Sequence, residues 1–164
     1  MKLFLALSLL AVPAFSAWFS GEGNYVLDHE ISFLSYENQM ACEGDNGRWE
    51  DGLCIFAGAD EVTVKRAGLS YDVKVSTVTT NAHMCEFEGK GVFQGDGTLK
   101  AAAPAEVWND DRQEWEAATC EVTLSFASGN EVNVTNNGSC QSFCGMRASL
   151  DVAGATRREA NAAI

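Results

Sequence analysis

Apolar and polar residues alternate along much of the chain. Glu61-Val62-Thr63-Val64-Lys65 and Tyr71-Asp72-Val73-Lys74-Val75-Ser76 place an apolar side chain at every second position, with Arg66-Ala67-Gly68-Leu69 between them. A period of two is that of a half-buried strand, and a short glycine-bearing link joins two such strands as a hairpin. The pattern recurs in Val122-Thr123-Leu124-Ser125-Phe126 and Val132-Asn133-Val134-Thr135, linked by Ala127-Ser128-Gly129-Asn130. Further strands are predicted at 19–26, 31–36, 53–57, 84–88, 91–94, 98–101, 106–108, 114–116 and 148–152, with Gly95-Asp96-Gly97 as a turn. No stretch after residue 17 shows the period of an amphipathic helix. Many short strands with frequent turns predict an all-β domain, either a small antiparallel barrel of calycin-like form or a compact sandwich.

The two ends of the chain read differently. Lys2 precedes an apolar run from Leu3 to Val12, Pro13 breaks it, and Ala14-Phe15-Ser16-Ala17 offers small residues to a peptidase. Residues 1–17 are therefore expected to be a helical signal peptide, with cleavage after Ser16 or Ala17 both feasible and Ala17 preferred. The apolar run is about half of the roughly 20 residues a membrane span needs, so no stable insertion is expected after cleavage. Residues 18–152 form a single β domain in this reading, a natural size for one core. The alanine-rich residues 153–164 are expected to fray.

Charge and cysteine content narrow the picture. The chain carries 11 Lys and Arg against 23 Asp and Glu, a net charge of −12, which becomes −13 once Lys2 is removed with the signal. Nucleic-acid binding needs clustered cations and is not expected. All six cysteines lie beyond residue 17, and an even number in an exported chain reads as disulfides. Six allow 15 pairings, among which sequence alone does not choose. Cys42 and Cys54 enclose a short acidic loop and form the first expected pair; Cys85 with Cys144 and Cys120 with Cys140 are preferred for the rest. Periplasmic or secreted localisation follows from this reading.

Two segments could form a binding surface. The loop from Cys42 to Cys54 contains Asp45, Trp49, Glu50 and Asp51, but its acids do not fit the calcium-loop spacing. The segment from Glu106 to Trp115 is expected to turn at Asp111-Arg112, which sets Trp108 opposite Trp115 and leaves Asp110 and Asp111 at the tip. His83 and Cys85 lack the further ligands a zinc site requires. Cys140 and Cys144 are one residue too far apart for a thioredoxin-type motif, and no nucleophile elbow is present. No metal, cofactor or catalytic residue is expected.

The segments Thr80-Asn81-Ala82-His83-Met84-Cys85-Glu86-Phe87-Glu88-Gly89 and Cys140-Gln141-Ser142-Phe143-Cys144-Gly145-Met146-Arg147-Ala148-Ser149-Leu150-Asp151 resemble a group of small exported bacterial proteins. In that group a Cys-Gly-x-Arg-Ala-Ser stretch closes a cysteine-bridged β domain, and no activity is established for the group as a whole. Ser20-Gly21-Glu22-Gly23-Asn24-Tyr25 is similar, with one residue more before the tyrosine, to the Ser-Gly-x-x-Tyr stretch of periplasmic inhibitors of c-type lysozyme. That resemblance implies inhibition of a basic cell-wall hydrolase, and an acidic exported domain would be steered toward such a partner. The resulting expectation is a non-enzymatic binding protein for a basic extracytoplasmic protein. The alternatives are a small-ligand carrier with an apolar barrel interior or a carbohydrate-active enzyme.

Overall fold

The computed structural model describes residues 21–127, 129–145 and 147–159. The expected signal peptide and residues 160–164 lie outside them. Among the described residues nine strands form one antiparallel sheet: β1 Gly23–Phe33, β2 Arg48–Glu50, β3 Leu53–Ala67, β4 Ser70–Thr79, β5 His83–Phe93, β6 Thr98–Asn109, β7 Glu114–Phe126, β8 Glu131–Asn136 and β9 Val152–Arg158. From β3 to β9 each strand pairs with the next, and β1 pairs with both β9 and β3. Eight strands thus close in a ring, while β2 pairs only with the start of β3. Closure removes the open edges that a sandwich would have kept, and it decides between the two expected architectures.

The ring is filled by the alternation seen in the sequence. Val62 and Val64, Val73 and Val75, Phe87, Leu99, Val122 and Leu124, Val132 and Val134 all point inward and are buried, with Tyr25 and Leu150 among them. Burial of each such aliphatic side chain contributes roughly 1.5–3 kcal/mol. Tyr25 keeps its hydroxyl satisfied by donating to the Gly21 carbonyl at 3.1 Å and accepting from Arg157 Nη2 at 2.9 Å.

Several predicted strands merge into longer ones. Strand β3 joins 53–57 to 61–65, β5 joins 84–88 to 91–94, β6 joins 98–101 to 106–108, and β7 joins 114–116 to 122–126. Alanines hide the joins in β6, where Ala101, Ala103 and Ala105 face the core and Ala102 and Pro104 face out, so no polar alternation marks the strand.

Three expectations are corrected. Residues 153–158 are not a frayed tail: they belong to β9, whose buried Ala155 pairs with Val132 and whose Val26 neighbour is Thr156. A bulge disguises this strand, with Gly154 at φ 78° donating its N–H to Asn133 Oδ1 at 2.8 Å. Residues 148–151 are correspondingly loop rather than strand. A short helix, α1 Gln39–Gly44, also occurs where none was expected. At six residues it is too brief to show a period; its stability comes from the Asn38 side-chain cap on the Ala41 N–H and from the buried Cys42.

All three expected disulfides are present: Cys42–Cys54, Cys85–Cys144 and Cys120–Cys140. They point to an oxidising, extracytoplasmic environment. Two of them solve a problem in the ring. Strands β5 and β6 pair over only Lys90–Phe93 with Leu99–Ala102 and then splay apart. The strap 140–144 spans the gap, bonded to β7 through Cys120 and to β5 through Cys85, and so straddles β6. The Gly145 N–H donates to the Met84 carbonyl at 2.8 Å, Ser142 Oγ accepts from the Glu106 N–H at 3.2 Å, and Phe143 packs edge-on against Phe87 at 5.5 Å. The small inward side chains of β6 leave room for the strap. At the vertex of the splay Gly89 is required, since a Cβ there would sit 2.8 Å from the Ala102 carbonyl oxygen.

Among the described residues no helix is long and apolar enough to cross a membrane. Because β9 closes the ring, truncation after Asp151 is expected to abolish the cooperative thermal transition followed by near-ultraviolet circular dichroism. A truncated chain that melted like the full one would show residues 152–158 to be dispensable.

Candidate functional site

Strands β1, β4, β6 and β8 run toward one end of the ring, and β3, β5, β7 and β9 start from it. This end, the mouth, therefore carries the connections 34–52, 80–82, 110–113 and 137–151. Both acidic segments singled out in the sequence emerge here. They rise on two arms that stand across the ring from each other.

The first arm is the far end of the β1–β3 ribbon. Pairing between β1 and β3 covers Gly23–Phe33, whereas β3 pairs with β4 only from Glu61 onward, so the ribbon leaves the ring at Asp60. Leu34 N–H donates to Asn81 Oδ1 at 2.9 Å and steadies the arm from the side. Phe33, Tyr36 and Phe56 pack in a small cluster with ring centres 5.2–6.2 Å apart. Over it folds the stapled loop, with Gly47 against the bridge; a Cβ there would lie 2.4 and 2.7 Å from the two sulfurs.

The carboxylates of this loop do not converge. Glu43 accepts from Gln39 Nε2 at 2.6 Å, Asp45 from the Tyr36 hydroxyl at 3.0 Å, and Glu50 from Arg48, which also binds Glu30 at 2.9 Å. Asp51 takes φ 48° in a two-residue turn with Gly52 at φ 83°, joining β2 to β3. Among the described residues no group of three or more His, Cys, Asp or Glu could hold a metal. Trp49, expected on the binding surface, is half-buried. The Asp51-Gly52 pair is a strong signal for a tight hairpin and was available in the sequence.

The second arm is the β6–β7 hairpin. Trp108 pairs with Trp115 in register, as expected, and both lie on its outer face, 40% and 54% exposed. Their rings meet edge-to-face, 5.6 Å between centres and 68° between planes, so they present a ridge rather than a flat two-ring platform for a sugar. The tip is rigid. Asn109 Oδ1 accepts the N–H groups of Asp111 and Arg112 at 3.0 and 3.1 Å, and Arg112 pairs with Glu116 at 3.0 Å. Asp110 and Asp111 are exposed at its end.

At the base of the first arm lies a feature the sequence did not disclose. His29 Nε2 meets Asp60 Oδ1 at 3.2 Å, and the same oxygen accepts the Val78 N–H at 3.0 Å where β3 parts from β4. The partners are 31 residues apart, and only the β1–β3 register brings them together. His83 and Cys85 form no joint site, since Cys85 is bridged to Cys144.

No family model, curated protein or solved structure matches the chain.

The Tyr36–Asp45 bond has a titration signature. The hydrogen bond to the Asp45 carboxylate, with smaller contributions from desolvation and from its charge, holds the Tyr36 phenol above the ordinary tyrosine range. Its stabilising effect is full below that range and is lost as pH rises through the folded value. In absorbance titration, Asp45→Asn is expected to bring the ionisation of Tyr36 back toward the ordinary tyrosine range. An unchanged titration in that variant would contradict the contact.

Proposed function

We propose that this protein is an exported, non-enzymatic binding protein that engages a basic extracytoplasmic protein through the mouth of its ring. The observation that carries the reading is the placement of its charge. The connection 34–52 holds Glu37, Glu43, Asp45, Glu50 and Asp51 against Arg48. The hairpin end 106–116 holds Glu106, Asp110, Asp111, Glu114 and Glu116 against Arg112. At the opposite end Lys65, Arg66, Arg157 and Arg158 nearly balance Glu22, Asp72, Asp96, Glu131 and Glu159. The mouth is thus strongly negative and the other end close to neutral.

Such polarity orients an incoming cationic partner and raises its association rate, with an effect that falls as salt screens it. Trp108 and Trp115, rigid and half-exposed beside these acids, supply the apolar contact on which tight interfaces depend. The filled interior supports a surface binder over a carrier, because inward side chains from every strand of the ring occupy the space a ligand would need. The specific partner we propose is a basic cell-wall hydrolase such as a c-type lysozyme, held by the two acidic arms.

The test is lysozyme turnover of cell walls with the purified protein added. Activity is expected to fall at low ionic strength and to recover as salt rises. The combined change Asp110→Asn, Asp111→Asn and Glu114→Gln is expected to weaken inhibition at least about tenfold, mainly through slower association. Full activity at every salt concentration would end the lysozyme proposal.

A further inference from the structure

The depression at the mouth combines opposite charges in one small space. It is bounded by β1, β3, β4 and the loop after β8, has a volume of about 300 Å³, and is lined by Leu27, His29, Asp60, Thr77, Arg147 and Asp151 among others. A volume at the low end of ligand pockets suits a small molecule.

Each charged group differs in what it has left to offer. Asp151 is saturated: Oδ1 accepts from the Asn136 N–H and Nδ2 at 3.1 and 3.0 Å, and Oδ2 from Ser149 Oγ at 2.8 Å. Asp60, 9% exposed, uses only Oδ1, toward Val78 and His29, and its Oδ2 has no donor among the described residues. Oδ2 reaches the solvent of the depression and is open to a cationic donor, which a largely buried carboxylate favours. Arg147, in the same lining, has neither an ion pair nor a side-chain hydrogen bond among the described residues, although the chain is rich in acids. Arg48, Arg112 and Arg158 all hold carboxylates. Arg147 is carried at φ 66° on a loop fixed by the Cys85–Cys144 bridge on one side and by the Thr77 hydroxyl, which donates to the Ser149 carbonyl at 2.6 Å, on the other.

We infer that this depression binds a small zwitterion, a free α-amino acid in chemical class, with its carboxylate on the Arg147 guanidinium and its ammonium on Asp60 Oδ2. The planar fork of arginine matches a carboxylate in two parallel hydrogen bonds. A simple anion meets the repulsion of Asp60 and Asp151, and a simple cation meets that of Arg147, so the pair of charges selects a ligand carrying both. Leu27 and Val78 give the aliphatic part of the ligand an apolar wall. This site does not depend on the arms or on the hydrolase reading.

The test is titration of the purified ¹⁵N-labelled protein with alanine, followed by amide shifts, with propionate and ethylamine as single-charge probes. Saturable shifts around His29, Val78 and Ser149 are expected with alanine, at an apparent affinity at least about tenfold better than either probe. Arg147→Ala, which removes no hydrogen bond or ion pair among the described residues, is expected to weaken alanine binding by at least about tenfold. Asp60→Asn, which keeps an acceptor for Val78, is expected to do the same while the rest of the spectrum stays in place. The inference is overturned by absence of saturable shifts at tens of millimolar alanine, by propionate binding as well as alanine, or by Arg147→Ala binding alanine unchanged.

Discussion

The ring depends on a gap that its own strands do not close. Beyond Lys90–Ala102 the two neighbours β5 and β6 diverge, leaving backbone groups and an apolar interior to be covered. The strap 140–144 covers them by being tied at both ends, to β7 and to β5, across the strand between. Each tie restricts the unfolded chain and is worth roughly 2–4 kcal/mol. Hydrogen bonds to Met84 and Glu106 and the contact of Phe143 with Phe87 then complete the wall. With the strap fixed, everything at the mouth acquires a rigid reference.

That rigidity is what makes the mouth usable. The two arms are extensions of ring strands beyond the point where their outer neighbours stop, so the turns and loops that carry most of their acids are held out from the body by sheet. At the base of the first arm lies a recess lined by the His29–Asp60 pair and bordered by the loop that follows the strap. The same covalent ties that close the sheet therefore position both a charged rim and a polar recess. The negative rim offers a broad field to a large partner, whereas the recess offers a few directed groups to a small one.

Much of this was legible in the sequence, and the failures have physical causes. Strands whose inward residues are valine, leucine or phenylalanine between polar neighbours were visible, as were the turns at Gly68 and at Gly95-Asp96-Gly97. The Trp108–Trp115 register followed from hairpin symmetry alone. Where the strap needs space, β6 carries alanine on its inner face, and the loss of contrast broke one long strand into two short predictions. Strand β9 was hidden because Ala153-Gly154-Ala155 has weak strand propensity and a bulge interrupts its alternation. The recess was invisible for another reason: it joins residues from β1, β3, β4 and the loop after β8, which only the closed ring brings together.

Peptide mapping of the protein purified without reductant tests the central claim most directly. Proteolysis and mass spectrometry should recover peptides joining Cys120 to Cys140 and Cys85 to Cys144, the two ends of the strap bonded to different strands. A Cys140–Cys144 link, with Cys85 bonded to Cys120, would close the strap on itself and leave the splayed strands without their tie. That result, or free thiols at these positions, would contradict the account.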